Sequence, residues 1–121
     1  MQSKIKNEHG TVAVQNEVIA RIAGLAAMEC PGVVGMAAKS IRDGLVHLLK
    51  IESLSKGVDL QTSESGELII GLHIIVDYGT NLAAIAETLQ SDVRYRVQES
   101  VGMRVKEVNI FIESVRTEVE G

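Results

Sequence analysis

The chain has 121 residues, 45 % of them apolar, with two Tyr, one Phe and no Trp, and its 12 basic and 16 acidic side chains leave a net charge of -4. That length suits a single domain able to bury about two-thirds of its unfolded surface. The shortage of rings argues against base-stacking platforms and aromatic cation cages, and the negative charge argues against a nucleic-acid partner.

Val and Ile together number 27, so the core is aliphatic and β-branched, which favours sheet over a helical bundle. Charge is uneven: residues 1–56 carry seven basic and five acidic side chains, whereas 57–121 carry five and eleven. The single Cys30 cannot form an internal disulfide, which points to the cytoplasm. Met1–Asn7 has charge but no apolar run, unlike a signal peptide. The longest apolar run, Leu68–Val76, is nine residues and contains His73, too short for a membrane span of about twenty.

In chain order, Gly10–Val14 alternates Val12 and Val14 on one face and reads as a short strand. Asn16 then stands as an N-cap to a helix reaching Glu29, with Val18, Ile22, Leu25 and Ala26 at helical spacing and Ile19 widening the stripe. Pro31-Gly32 stops that helix, and Val33–Ala37 reads as a second short strand. Ser40 to Leu49 places Ile41, Leu45, Leu48 and Leu49 at helical intervals, and Ser53–Gly57 reads as a connector. Val58–Thr62, the loop Ser63–Gly66 and Glu67–Asp77 form a hairpin whose second strand is apolar on both faces, as an interior strand should be. Thr80 or Asn81 caps a second helix running to Ser100, with Leu82, Ile85, Ala86, Leu89, Val93 and Val97 on one stripe and Gly102 as its stop. Glu107–Val115 is a last strand, with Val108, Ile110 and Ile112 inward and Asn109, Phe111 and Glu113 on the reverse.

This order predicts an α+β two-layer sandwich, two main helices on one face of a mixed or antiparallel sheet of four to five strands. It is one domain over 1–121, with a core over 10–115, a variable amphipathic connector over 38–56 and a tail over 116–121. The three histidines, His9, His47 and His73, lie far apart and lack metal-ligand spacing, so no metal or cofactor is expected. Cys30 sits at a helix C-terminus, where the dipole disfavours a thiolate, and reads as a packing residue. Acidic pairs such as Asp59 with Glu64 and Asp77 with Glu87 have nothing in the sequence to gather them into a cleft. No catalytic residue is assigned.

Two surfaces carry interaction hypotheses. The first is the reverse face of the hairpin and last strand, Ile69, His73, Ile75 and Phe111, apolar surface that the helices do not cover. The second is the stretch Ile41, Leu45, Leu48 and Leu49, accompanied by Lys39, Arg42 and Lys50 against Asp43, a basic amphipathic helix suited to a partner groove or an anionic membrane. The competing reading of that stretch is a short helix covering the edge of the sheet.

Blocks in order resemble the alkaline shock protein family: Gly10–Val14, Glu17–Ala20 with Ile22-Ala23, Gly32–Met36, Lys56–Val58, Ile75–Gly79 and Val108–Ile112, with Gln90, Val93 and Val97 between the last two. The resemblance covers about Gly10 to Val115 and rests on the order and spacing of the blocks. It implies a small, non-enzymatic, cytoplasmic protein of Gram-positive bacteria linked to cell-envelope stress. It further implies self-association into a homo-oligomer and recruitment to the membrane periphery by an anchoring protein. The smaller members are often encoded beside a fatty-acid kinase, so the alternative is an accessory regulator of a lipid-metabolism enzyme. Larger members carry long charged extensions, and this chain matches only their core.

Overall fold

The computed structural model describes residues 2–39 and 46–116. Its elements are β1 (Gln2–Asn7), β2 (Gly10–Gln15), α1 (Asn16–Met28), β3 (Val33–Lys39), β4 (Val46–Leu48), a 3-10 helix (Ile51–Gly57), β5 (Val58–Thr62), β6 (Leu68–Asp77), α2 (Leu82–Val101) and β7 (Val105–Arg116). β6 is the middle of a five-stranded sheet. β7 runs parallel to it along its whole length on one side. The other side is shared end to end, β5 pairing antiparallel with Leu68–Leu72 and β3 with Ile74–Val76. β4 extends β3, and β1 with β2 forms a separate two-stranded antiparallel sheet. This is the expected α+β arrangement with a mixed sheet.

Both helices lie against one face of that sheet. Ile85, Leu89, Val93 and Val97 of α2 are buried with Leu68, Ile70, Leu72 and Ile74 of β6 and Val108 of β7. α2 begins where its sequence says: the Asn81 side chain accepts a hydrogen bond from the Ala84 N–H at 3.0 Å. It ends at Gly102, whose φ of +81° is the left-handed conformation that glycine adopts at little cost. The hairpin loop likewise turns at Gly66, φ +85°, with the Ser63 N–H donating to the Glu67 carbonyl at 2.8 Å.

Several expectations are corrected. Residues 2–7, unassigned on sequence, form β1, whose polar Lys4 and Lys6 alternate with buried Ser3 and half-buried Ile5. Asn16 is not an N-cap. Gln15 holds that position without a side-chain hydrogen bond, and Asn16 Oδ1 instead accepts from Ser3 Oγ at 3.2 Å, tying β1 to α1. The buried stripe of α1 is Ile19, Ala20, Ala23, Gly24, Ala26 and Ala27, while Val18 and Leu25 are exposed. Beside fully buried Ile19 the stripe is small where the 3-10 helix comes close: a Cβ on residue 24 would stand 3.2 Å from Leu54 Cβ, and Leu54 is fully buried. Of the stretch read as a helix over Ser40–Leu49, residues 40–45 lie outside the described residues, and Val46–Leu48 is a strand paired with Ala37–Lys39, where the β3 edge offers backbone partners. The Ser53–Gly57 connector is part of the 3-10 helix.

Cys30 is buried, and burial together with the Asp92 charge pushes its thiol pKa up, as a packing residue requires. Among the described residues no helix is long and apolar enough to cross a membrane.

Candidate functional site

The face of the sheet turned away from the helices carries a cluster of polar side chains assembled from three strands. His73 stands on β6, and Phe111 faces it across the parallel pairing to β7. The two rings stack, with centroids 4.8 Å apart and planes 15° from parallel. Glu113 follows two residues on, where the β6–β7 register shifts between Ile74 and Ile75. Asp59 comes from β5, opposite Gly71. Gly71 keeps the space clear: a Cβ there would lie 3.3 Å from Phe111 Cε2 and 3.4 Å from Asp59 Cβ.

His73 Nδ1 lies 2.6 Å from Glu113 Oε2, and Nε2 lies 2.8 Å from Asp59 Oδ2. Two carboxylate oxygens face the two ring nitrogens, so both hydrogen bonds form at once only when both nitrogens carry protons. The neutral ring would turn one lone pair against a carboxylate. Partial burial of the ring opposes its charge. The hydrogen bonds to Asp59 and Glu113, and the charges of both, outweigh it and raise the His73 pKa above the ordinary imidazole value. The cluster is graded in exposure: the side chain of Glu113 is 15 % exposed, His73 24 % and Asp59 69 %.

Of the predicted surface, Ile69 and His73 are half-buried and Phe111 is 46 % exposed. Ile75 does not belong with them, being only 5 % exposed. Both neighbouring ladders slip register beside it, at Val33/Gly35 and at Ile74/Ile75. Of the basic stretch, Ile41 and Leu45 lie outside the described residues, Leu48 is exposed on β4, and Leu49 is half-buried against the core. Asp59 and Glu113 are a carboxylate pair that sequence reasoning missed. They are 14 and 40 residues from His73, so no spacing signals them. The signal available was facing: His73 and Glu113 fall on the same reverse face once β6 and β7 are neighbours.

Among the described residues no group of three His, Cys, Asp or Glu is arranged to hold a metal ion. A groove between α2 and β7, lined by Gln90, Arg94, Tyr95, Lys106, Val108 and Asn109, lies away from His73. There Gln90 Nε2 donates to the Val108 carbonyl at 3.1 Å and Arg94 Nη2 to that of Lys106 at 3.2 Å.

A mixed sheet covered by helices on one side, with a histidine fixed between two carboxylates on the other, defines a small α+β domain with an open sheet face. The chain belongs to the alkaline shock protein 23 family, described as having a cell envelope-related function, whose model matches residues 4–117. It is 42 % identical over 118 residues to YloU, an uncharacterized protein of Bacillus subtilis (strain 168), covering 96 % of this chain and 97 % of that one. It is 24 % identical over 108 residues to a stress response regulator gls24 homolog of Streptococcus pyogenes serotype M3, covering 89 % of this chain and 60 % of the other. Among solved structures, a MamM CTD variant aligns over 84 % of this chain and 96 % of its own, at 17 % identity and a TM-score of 0.46. The family resemblance expected from the sequence is borne out. The names of these relatives lend no support to the alternative of a lipid-enzyme regulator.

Proposed function

We propose that this protein is a non-enzymatic interaction module of the cell-envelope stress response, which works by presenting the open face of its sheet to another protein chain. The observation that carries the reading is Phe111, a large ring left 46 % exposed beside half-buried Ile69 and His73 on the face that neither α1 nor α2 covers. Apolar surface gathered on one face and rimmed by polar groups is the usual mark of a protein contact. His73 supports the non-enzymatic reading: both its nitrogens are engaged by carboxylates, so neither is free to take a proton from a bound substrate. In this reading the protein resides in the cytoplasm, associates with copies of itself, and reaches the membrane periphery through an anchoring protein.

Sedimentation velocity over micromolar concentrations tests the self-association. The native chain is expected to show concentration-dependent larger species, and Phe111→Ser to shift the equilibrium toward monomer by about tenfold, equivalent to the roughly 1.4 kcal/mol carried by a well-placed aromatic contact. A native chain that stays monomeric throughout contradicts it.

A further inference from the structure

We propose that the C-terminal half of the outer edge of β7 pairs antiparallel with the same segment of a second copy of this chain, joining two sheets into one. The proposal rests on the reading of the protein as self-associating and names the surface involved.

β7 is 12 residues long and pairs only with β6, so among the described residues its other edge has no strand partner. An edge of that length is a template for strand addition unless something covers it. Half of it is covered. The carbonyls of Lys106 and Val108 point outward and are taken by Arg94 and Gln90 of α2. Two strand residues advance about 6.6 Å and four helix residues about 6.0 Å, so the two elements stay in step.

Continuing those steps along the antiparallel helix sets Ala86 beside Ile110 and Leu82 beside Ile112. Neither alanine nor leucine carries a donor. By the two-residue alternation of a strand, the N–H and C=O of Ile110 and Ile112 point the same way as those of Lys106 and Val108, toward an edge that no α2 side chain caps. Its rim is apolar: Leu82, Phe111 and Val115 are all exposed.

The occupant is a second copy because the segment suits itself. Asn109–Arg116 has one acid, Glu113, and one base, Arg116, for a net charge of zero in a chain that carries -4 overall. Two copies therefore meet there without net repulsion. Three Ile or Val and one Phe in eight residues make the segment a strong strand former. Antiparallel pairing about a two-fold axis uses the same surface on both copies, so the assembly closes as a dimer. The open faces around His73 and Phe111 then form one continuous surface.

The test is amide hydrogen exchange of the whole chain at low and high micromolar concentration, beside sedimentation of two variants. In the dimer the amides of Ile110 and Ile112 are expected to exchange at least about tenfold more slowly than in the monomer. Leu82→Arg with Ala86→Gln extends the row of donors along the edge and is expected to weaken association at least about tenfold, since each capped carbonyl removes one intermolecular hydrogen bond. Gln90→Ala with Arg94→Ala uncovers the rest of the edge and is expected to strengthen it. A dimer whose Ile110 and Ile112 amides gain no protection, and which Leu82→Arg with Ala86→Gln leaves intact, overturns the edge pairing while self-association stands. A chain that remains monomeric at every concentration overturns both.

Discussion

Replacing Leu72 by alanine is expected to lower stability by about 2–5 kcal/mol, a large share of the roughly 5–15 kcal/mol that holds a domain of this kind together. Leu72 is fully buried on β6, opposite Val58 of β5 and Ile110 of β7, with both helices closing the core over it. Neighbours on three strands are fixed by backbone pairing and cannot collapse into the space left behind. Urea unfolding should show the midpoint falling with an unchanged slope. Ile69→Ala, on the open face of the same strand, is the contrast and should cost about 1 kcal/mol or less. Equal losses at the two positions would mean that both faces are packed, and the account of an open face would be wrong.

The second large effect concerns pH. The His73 pKa is raised in the folded chain by Asp59 and Glu113 against the burial that lowers it. A group whose pKa is higher folded than unfolded binds its proton more tightly in the folded state. It therefore stabilises fully below the ordinary imidazole range and loses that contribution as pH rises through the folded pKa. The difference in melting temperature between the native chain and His73→Gln should be greatest under mildly acidic conditions and shrink on the alkaline side. Above the folded pKa, the neutral ring sets a lone pair against one carboxylate, and exposed Asp59 is the partner free to turn away. A difference that stays constant with pH, or grows as pH rises, contradicts this assignment.

Much of the fold was legible because it follows from local periodicity. The stripe Ile85, Leu89, Val93 and Val97 and the stops at Asn81 and Gly102 defined α2 to within a residue or two. The alternation of Val108, Ile110 and Ile112 gave the facing of β7. What failed were positions where two local solutions compete. The buried face of α1 joins Ile19 to Ala20, Ala23, Gly24, Ala26 and Ala27 and leaves Val18 and Leu25 outside, and the close approach of Leu54 to Gly24 is a long-range fact. Leu48 falls in a helical pattern with Ile41, Leu45 and Leu49, but it lies on Val46–Leu48, which pairs with the edge of β3. β1 was hidden because Ile5 is its one apolar residue, too little for a period of two to show, and its reason for being a strand is its pairing with β2.

The candidate site was half legible. Placing His73, Phe111 and Glu113 on reverse faces needed only a period of two. Bringing them together needed the parallel pairing of β6 with β7, and adding Asp59 needed the hairpin register. Both are long-range facts. Neither the register slips beside Ile75 nor its burial could be read from a period of two.

The claim on which the rest depends is that the open sheet face touches another protein in the cell. A photo-crosslinking residue placed at Phe111 in the full chain tests it most directly, with Tyr95 on the exposed side of α2 as the control position. The account predicts discrete covalent adducts at 111, either with a second copy of the chain or with one envelope-associated protein, and no matching adducts at 95. No adduct at 111 under conditions where the protein is folded, or the same adducts from both positions, would contradict it.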